Sequence, residues 1–236
     1  MIKSLLRKTF LYKIYKDYKD KKHQERVNLV NNAFKREAVD VLRLYSDALF
    51  SKGIVFWLDF GTLLGYYREH DFIKHDYDID TATWFSNHEK VKIALEQAGF
   101  ELVRYYEILG RDGIEECYKH RDYATTIDVF YYFEEGNQTY CFSFCPLVPM
   151  TKKRHLNKWQ KSSTRKWTYN SFELVSSEFK GIKVYVPKDT SSYLEAGYGK
   201  NFMTPIPDFP VEGRPNLTEY NYEEMPAKAF LKIGYM

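Results

Sequence analysis

Cysteine is scarce: three residues, Cys117, Cys141 and Cys145, in a chain of 236. Their odd number, without the paired C-x-x-C spacing of a zinc ribbon, fits buried thiols in a reducing compartment. Long apolar runs are missing as well. Nothing approaches the ~18 residues of a membrane span, and Lys3, Arg7, Lys8 and Lys13 interrupt any signal-peptide core, so a cytoplasmic protein is expected. A strong charge of one sign is also lacking, since the net charge is +3 and the pI near 8.5. That balance is too mild to imply nucleic acid, and no nucleic-acid partner is expected. Asn137-Gln-Thr and Asn216-Leu-Thr match the glycosylation sequon, but a sequon matters only in a secreted chain. There is no internal repeat and no low-complexity segment.

What is present is a 44% hydrophobic composition over 236 residues, enough for one good core with appendages. Residues 1–50 read as helix, with Ile2, Leu6, Phe10, Ile14 and Tyr18 every four residues, followed by Val27, Val30, Phe34, Val41, Leu44 and Leu49. The first 26 residues carry nine Lys/Arg against three acids, a difference of +6. Such a basic amphipathic helix either contacts an anionic membrane peripherally or packs one stripe on protein, and the sequence leaves both readings open. The expected organisation is a basic helical extension over residues 1–50 and one domain over residues 51–236.

Gly53 ends the helical region, and Ile54–Leu58 has the continuous apolar character of a buried strand. Gly61–Arg68 reads as a turn opening a short helix, and Tyr77–Trp84 as the next strand. Ser86-Asn-His-Glu89 fits a capping box before a helix through Val91, Ala94, Leu95 and Ala98, with Gly99 at its end. Strands are expected at Phe100–Ile108, Glu115–Tyr118, Ala124–Phe133, Thr139–Phe144 and Ile182–Val186, and a Pro-punctuated tail follows. Between Thr151 and Asn170 stand seven Lys/Arg, no acids and two tryptophans, Trp159 and Trp167. This segment is either an electropositive aromatic face for phosphates or sugars, or a solvated loop or helix.

The acids carry the chemistry. In an extended Tyr77–Thr81, Asp78 and Asp80 project from one face while Ile79 points into the core. Asp76 shares their face if the strand begins early. In Thr126-Ile-Asp-Val-Phe130, Asp128 faces away from Ile127 and Val129, so three carboxylates converge if the two strands are neighbours. Clustered carboxylates repel one another unless a positive charge sits among them. Oxygen-only ligands suit Mg²⁺ or Mn²⁺ completed by substrate phosphates. Backbone amides at the Gly61-Thr62 turn are candidates to hold a phosphate. Arg68 and Lys74 are candidates to neutralise a diphosphate. His75 is expected at a strand edge, facing away from the aspartates.

A glycine and a small hydroxylic residue, then Asp-x-Asp on one strand and a single Asp on another, resemble the polymerase-beta-like nucleotidyltransferase superfamily. Within it, Trp57-Leu-Asp-Phe-Gly-Thr-Leu-Leu-Gly65, Arg68, Phe72-Ile73 and Asp76-x-Asp78-Ile-Asp80 resemble the LicD family of phosphocholine transferases, which includes fukutin and fukutin-related protein. Gly181-Ile-Lys-Val-Tyr-Val-Pro187, Tyr193-Leu194, Tyr198-Gly199 and Pro205 look like that family's C-terminal signature, so the resemblance covers residues 45–208. The chain departs from the family at Lys74-His75-Asp76, where relatives commonly have Pro-Trp-Asp, and at Tyr77, which replaces another acid. It also lacks the cysteine-rich zinc element of the animal relatives.

The resemblance implies an α+β fold, with a nucleotidyltransferase-like mixed β-sheet flanked by helices. It implies transfer of a phosphorylated alcohol, such as phosphocholine or ribitol phosphate, from a CDP-alcohol donor to a cell-surface glycan acceptor or its precursor. The family's metal pair maps to Asp78 and Asp80, and the superfamily pattern adds Asp128. Two other readings stay open: nucleotidyl transfer from a nucleoside triphosphate, and a non-catalytic glycan- or membrane-associated assembly protein.

Overall fold

A computed structural model describes residues 10–147, 156–206, 211 and 213–232. One long helix, α1, spans Phe10–Phe50. Its described side chains between residues 17 and 30 are exposed, Tyr18, Leu29 and Val30 among them. Further along, Phe34, Ala38, Val41, Leu42, Tyr45 and Leu49 form a buried stripe at helical spacing, so the second half of α1 is part of the core. The side chains of Phe10 and Ile14, and all of residues 1–9, lie outside the described residues. Gly53, at φ 70°, turns the chain, and the Ile54 amide bonds back to the Leu49 carbonyl.

That bond shortens the strand expected at Ile54–Leu58. Only β1, Trp57–Leu58, reaches a partner, β2 (Asp78–Trp84). Helix α2 (Phe60–Glu69) lies between them in sequence. After β2 comes a tight turn, Phe85–Asn87, and then α3, His88–Gln97. The capping box expected at Ser86 does not form. The helix starts after Asn87, which makes no side-chain cap and instead donates its amide to Thr83 Oγ1 at 3.1 Å.

The remaining strands are β3 (Phe100–Ile108), β4 (Ile114–His120), β5 (Thr126–Glu135), β6 (Gln138–Pro146) and β7 (Gln160–Asn170). They are followed by β8 (Leu174–Phe179), β9 (Ile182–Pro187), α4 (Thr190–Tyr198), β10 (Leu217–Tyr220) and β11 (Ala227–Leu231). The basic segment ending at Asn170 is therefore in part a strand and not a loop or helix; residues 148–155 lie outside the described residues. Its Thr-rich stretch suits a half-buried sheet, with Ser162, Thr164, Trp167 and Tyr169 buried. The expected tail likewise contains one helix and two strands.

Among the described residues nine strands form one mixed sheet, in which β2–β5 is the single parallel pair. The pairings β5–β4–β3–β11–β7–β6 return to β5, so six strands close into a ring. Tyr106, Ile108, Phe142, Phe144, Ala227, Ala229 and Leu231 make a second, smaller core beside the main one. Helices flank the sheet, and the β8–β9 hairpin packs on α1, where Ser46 donates to the Lys183 carbonyl. The architecture is the expected α+β mixed sheet. Cys117 and Cys141 are buried thiols, as expected, but Cys145 is exposed. Among the described residues no helix is long and apolar enough to cross a membrane.

Candidate active site

The Asp59–Thr62 turn is stitched to Asp80. The Asp59 amide donates to the Asp80 carbonyl (3.2 Å), the Gly61 amide to Asp80 Oδ2 (2.9 Å), and the Asp80 amide to Thr62 Oγ1 (2.9 Å). Space at Gly61 is tight: a Cβ there would lie 3.1 Å from both Asp76 Oδ2 and Asp80 Oδ2, so the carboxylates would have to give by a few tenths of an ångström. Thr62 is buried, and its hydroxyl supports the strand backbone behind the site. Both residues thus aim Asp80, and Gly61's amide faces a carboxylate.

Asp59 anchors this turn from below. Fully buried, it caps α2 by accepting from the Phe60 amide, and it also accepts from the Tyr132 and Tyr193 hydroxyls at 2.7 and 2.9 Å. Burial pushes its carboxyl up to about 6, with these three donors pulling the other way. Phe60 pays for the tight entry with a φ of 38°, a left-handed conformation rare outside glycine.

Asp78 and Asp80 share one face of β2, with Ile79 fully buried on the other. Because β2 and β5 are neighbours, Asp80 stands opposite Asp128, and the register continues to Cys117 on β4 and Arg104 on β3. A bulge between Leu102 and Arg104 shifts the β3–β4 register and brings Arg104 onto this face. Cys117 is small enough for the guanidinium to reach across it. Arg104 Nη2 donates to Asp128 Oδ1 at 2.9 Å and Oδ2 at 2.6 Å. No sequence signal marked Arg104, because its facing depends on the bulge.

The other acids remain in mutual repulsion. Burial raises Asp78 to about 8, with the charges of Asp128 and Asp76 adding to the rise and Arg104 opposing it. Burial, then Asp78, Asp128 and Asp76, push Asp80 well above the ordinary carboxylate range. Asp76 rises to about 6 through burial and the Glu69 charge. Glu115, also missed in the sequence, is buried behind Asp128 and rises to about 8 for the same two reasons, burial and the Asp128 charge.

Asp76, Asp78 and Asp80 line a cleft of about 590 Å³ with Gly61, Arg68, Arg165 and Arg214, whereas Asp128 and Glu115 are buried and are not among its lining residues. Trp167, Tyr198 and Phe130 form apolar wall, and His75 also lines the cleft, contrary to the expectation that it faces away. Arg68 is held by Glu69 Oε1 at 2.6 Å and the Phe202 carbonyl at 3.3 Å. Lys74 is not brought to the aspartates; it lines a separate cavity of about 470 Å³ with Lys35 and Lys180.

The aspartates of the cleft offer oxygen donors, which suit a hard divalent ion. Among the described residues no three His, Cys, Asp or Glu side chains gather into a complete ligand set. Asp128 is engaged by Arg104, so the residues present fit an ion held by Asp78 and Asp80 whose remaining ligands are substrate and water oxygens. Such partial coordination by protein is the usual state of Mg²⁺ in phosphate-handling sites.

Comparison with known proteins places this geometry in context. "Ribitol-5-phosphate transferase FKTN" of Homo sapiens is 29% identical over 175 residues, covering 74% of this chain and 35% of that protein. The Mus musculus protein of the same name is 28% identical over 189 residues, covering 80% and 38%. This chain therefore spans little more than a third of the length of these curated relatives. Among solved structures, the lincomycin-bound lincosamide antibiotic adenylyltransferase LnuA aligns with a TM-score of 0.37 at 15% identity, over 67% of this chain and 83% of that one. The family described as "LicD/FKTN/FKRP, nucleotidyltransferase domain" matches residues 53–189, more than half of the chain and the whole span from the Gly61 turn through Asp128, and the chain belongs to that family.

Proposed function

We propose that this protein transfers a phosphorylated alcohol, such as ribitol phosphate or phosphocholine, from a CDP-linked donor to a hydroxyl of a cell-surface glycan or its precursor. The observation that carries this reading is the placement of Asp78 and Asp80 side by side on one strand face, in a cleft that also presents three arginines. The relatives named as ribitol-5-phosphate transferases support the phospho-alcohol over other groups.

Bound Mg²⁺ or Mn²⁺ would neutralise the donor's diphosphate and polarise the phosphorus under attack. Asp78 and Asp80 would hold that ion, their geometry set by Gly61 and Thr62. Asp128 lies next to Asp80 with both oxygens held by Arg104; it would assist deprotonation of the acceptor hydroxyl or join the ion's ligands only on release from that arginine. The arginines would stabilise charge on the departing nucleotide phosphate. Trp167, Tyr198 and Phe130 supply apolar wall that limits water at the reacting centre.

The leaving group tests the proposal. Attack of an acceptor hydroxyl on the phosphorus bearing the alcohol releases CMP, whereas nucleotidyl transfer from a triphosphate releases pyrophosphate. CDP-alcohols incubated with Mg²⁺ and a mixed glycan extract are expected to yield CMP with at least one donor, and chelation is expected to stop it. Pyrophosphate from a triphosphate, with every CDP-alcohol inert, would replace this reading with nucleotidyl transfer.

Residues 1–26, with their +6 charge difference, are proposed to contact an anionic membrane surface. Among the described residues, the buried stripe of α1 begins at Ala33. Truncation is expected to lower binding to phosphatidylserine-containing vesicles in a sedimentation assay, with turnover on a soluble acceptor retained. Equal vesicle binding by the two forms would assign the segment to protein packing.

A further inference from the structure

We infer that the cavity of about 470 Å³ lined by Lys35, Lys74 and Lys180 binds the phosphate of an anionic phospholipid headgroup. The site is separate from the acidic cleft and independent of the group transferred there. It adds a membrane contact on the domain itself to the one proposed for residues 1–26.

Four pieces of chain meet around the cavity: one face of α1, the last residue of α2, the return loop at residues 71–74 and the β8–β9 turn, which supplies Lys180. Their charges do not balance. Both acids of the lining are already held, Glu69 by Arg68 Nη2 at 2.6 Å and Asp71 by Lys180 Nζ at 2.8 Å. Asp71 Oδ1 also accepts from the Phe72 amide at 2.8 Å. The ammonium groups of Lys35 and Lys74 have no ion pair or hydrogen bond among the described residues, and both residues are exposed. Two cations on different elements therefore stand at one opening, with no acid of the lining left to neutralise them, and a phosphate's oxygens complement them.

Beneath the lysines the cavity is apolar. Phe34 is 2% exposed, and Phe72 meets it edge-on at 5.2 Å and meets Phe179 at 4.9 Å. A free phosphate gains nothing from such a floor, whereas the carbon skeleton of a lipid headgroup region does. The apolar stripe of α1 also runs on past the cavity: Val30, one turn before Phe34, is 41% exposed, and Leu29 is 70% exposed. Bare apolar side chains beside unneutralised lysines are what a helix presents when it lies at the level of anionic headgroups. Ile73 lines this cavity and the acidic cleft alike, and its carbonyl accepts from the Asp76 amide at 3.0 Å. A headgroup seated here would thus hold the cleft at the bilayer surface.

Sedimentation of the full chain with vesicles of equal parts phosphatidylglycerol and phosphatidylcholine tests the site. The double variant Lys35→Gln with Lys74→Gln is expected to lower the partition coefficient at least about tenfold, because each lysine held at an anionic surface contributes roughly a fivefold gain. Lys52→Gln with Lys158→Gln removes the same charge from two exposed lysines elsewhere on the surface and is expected to stay within about twofold of wild type, since screening confines the field to lysines at the contact. Soluble glycerol phosphate, titrated calorimetrically, is expected to give no saturable binding. Saturable binding of it, lost in the cavity variant, would reassign the cavity to a soluble phosphate and overturn the lipid inference. An equal fall in both double variants would mean diffuse charge and overturn it too. Unchanged partition in the cavity variant overturns it whatever removal of residues 1–26 does, so the two membrane contacts fail separately. A wild-type protein that leaves the vesicles unbound would overturn both.

Discussion

Replacing Asp80 with asparagine is expected to cut turnover by roughly 10³-fold while raising the thermal stability of the metal-free protein. The first effect follows from losing a ligand to the proposed ion, whose several kcal/mol of charge stabilisation corresponds to about three powers of ten in rate. The second follows from the repulsion among Asp76, Asp78 and Asp80, since one negative charge leaves a crowded cleft. Asp128→Asn should act in the opposite direction on stability. It removes the partner of a largely enclosed guanidinium, a loss of about 3 kcal/mol. Two substitutions of identical chemistry on neighbouring strands thus differ in sign, because one acid faces other acids and the other faces Arg104. The pH dependence follows from the raised values. Near pH 2, well below the ordinary carboxylate value, the acids of the cleft are protonated in both folded and unfolded chains, and their repulsion costs nothing. The cost sets in above the unfolded value of 3.8 and grows as pH rises towards the folded-state value of about 8 for Asp78, so the stabilisation by Asp80→Asn should be clear at pH 8 and fade as the pH falls below 3.8. Differential scanning calorimetry at the two pH values, with steady-state turnover at matched Mg²⁺, measures all of this. An Asp80→Asn protein with wild-type turnover would sink the metal-site assignment.

Gly65→Ala is expected to destabilise the protein by about 2 kcal/mol, or roughly 4–8 °C in Tm for a chain of this size. In an ordinary helix interior the same change gains up to about 1 kcal/mol from propensity. Here the new Cβ would lie 2.6 Å from the Asp71 carbonyl oxygen and 3.1 Å from the Ile73 amide nitrogen, both backbone atoms of the return loop. That loop is tied to the helix by the Asp71 amide bond to the Gly65 carbonyl, and it leads directly to Asp76. Relief of the clash therefore moves the approach to the acidic cleft, and turnover should fall together with stability. Urea denaturation of the two proteins gives the difference in midpoint. An alanine variant as stable as wild type would show that the loop packs less closely than this geometry requires.

The sequence by itself determined the strand face that carries Asp78 and Asp80, because a period of two with Ile79 between them admits no other arrangement in a half-buried strand. It also determined the short helix opening at the glycine–threonine pair, the helical character of the chain up to Phe50 and most strand positions, all of which rest on local periodicity and turn chemistry, whereas the packing of the second half of α1 into the core was not legible in it. Tertiary structure alone decided the rest. Asp128 stands beside Asp80 only because β5 pairs directly and in parallel with β2, although β3 and β4 come between them in sequence. Arg104 reaches Asp128 only because a one-residue bulge re-aims it. Lys74, close to the aspartates in sequence, lies in another cavity, whereas Arg214, more than a hundred residues away in the chain, lines theirs. Local pattern sets which way a side chain faces; which charges then meet depends on non-local strand pairing, which no single segment encodes.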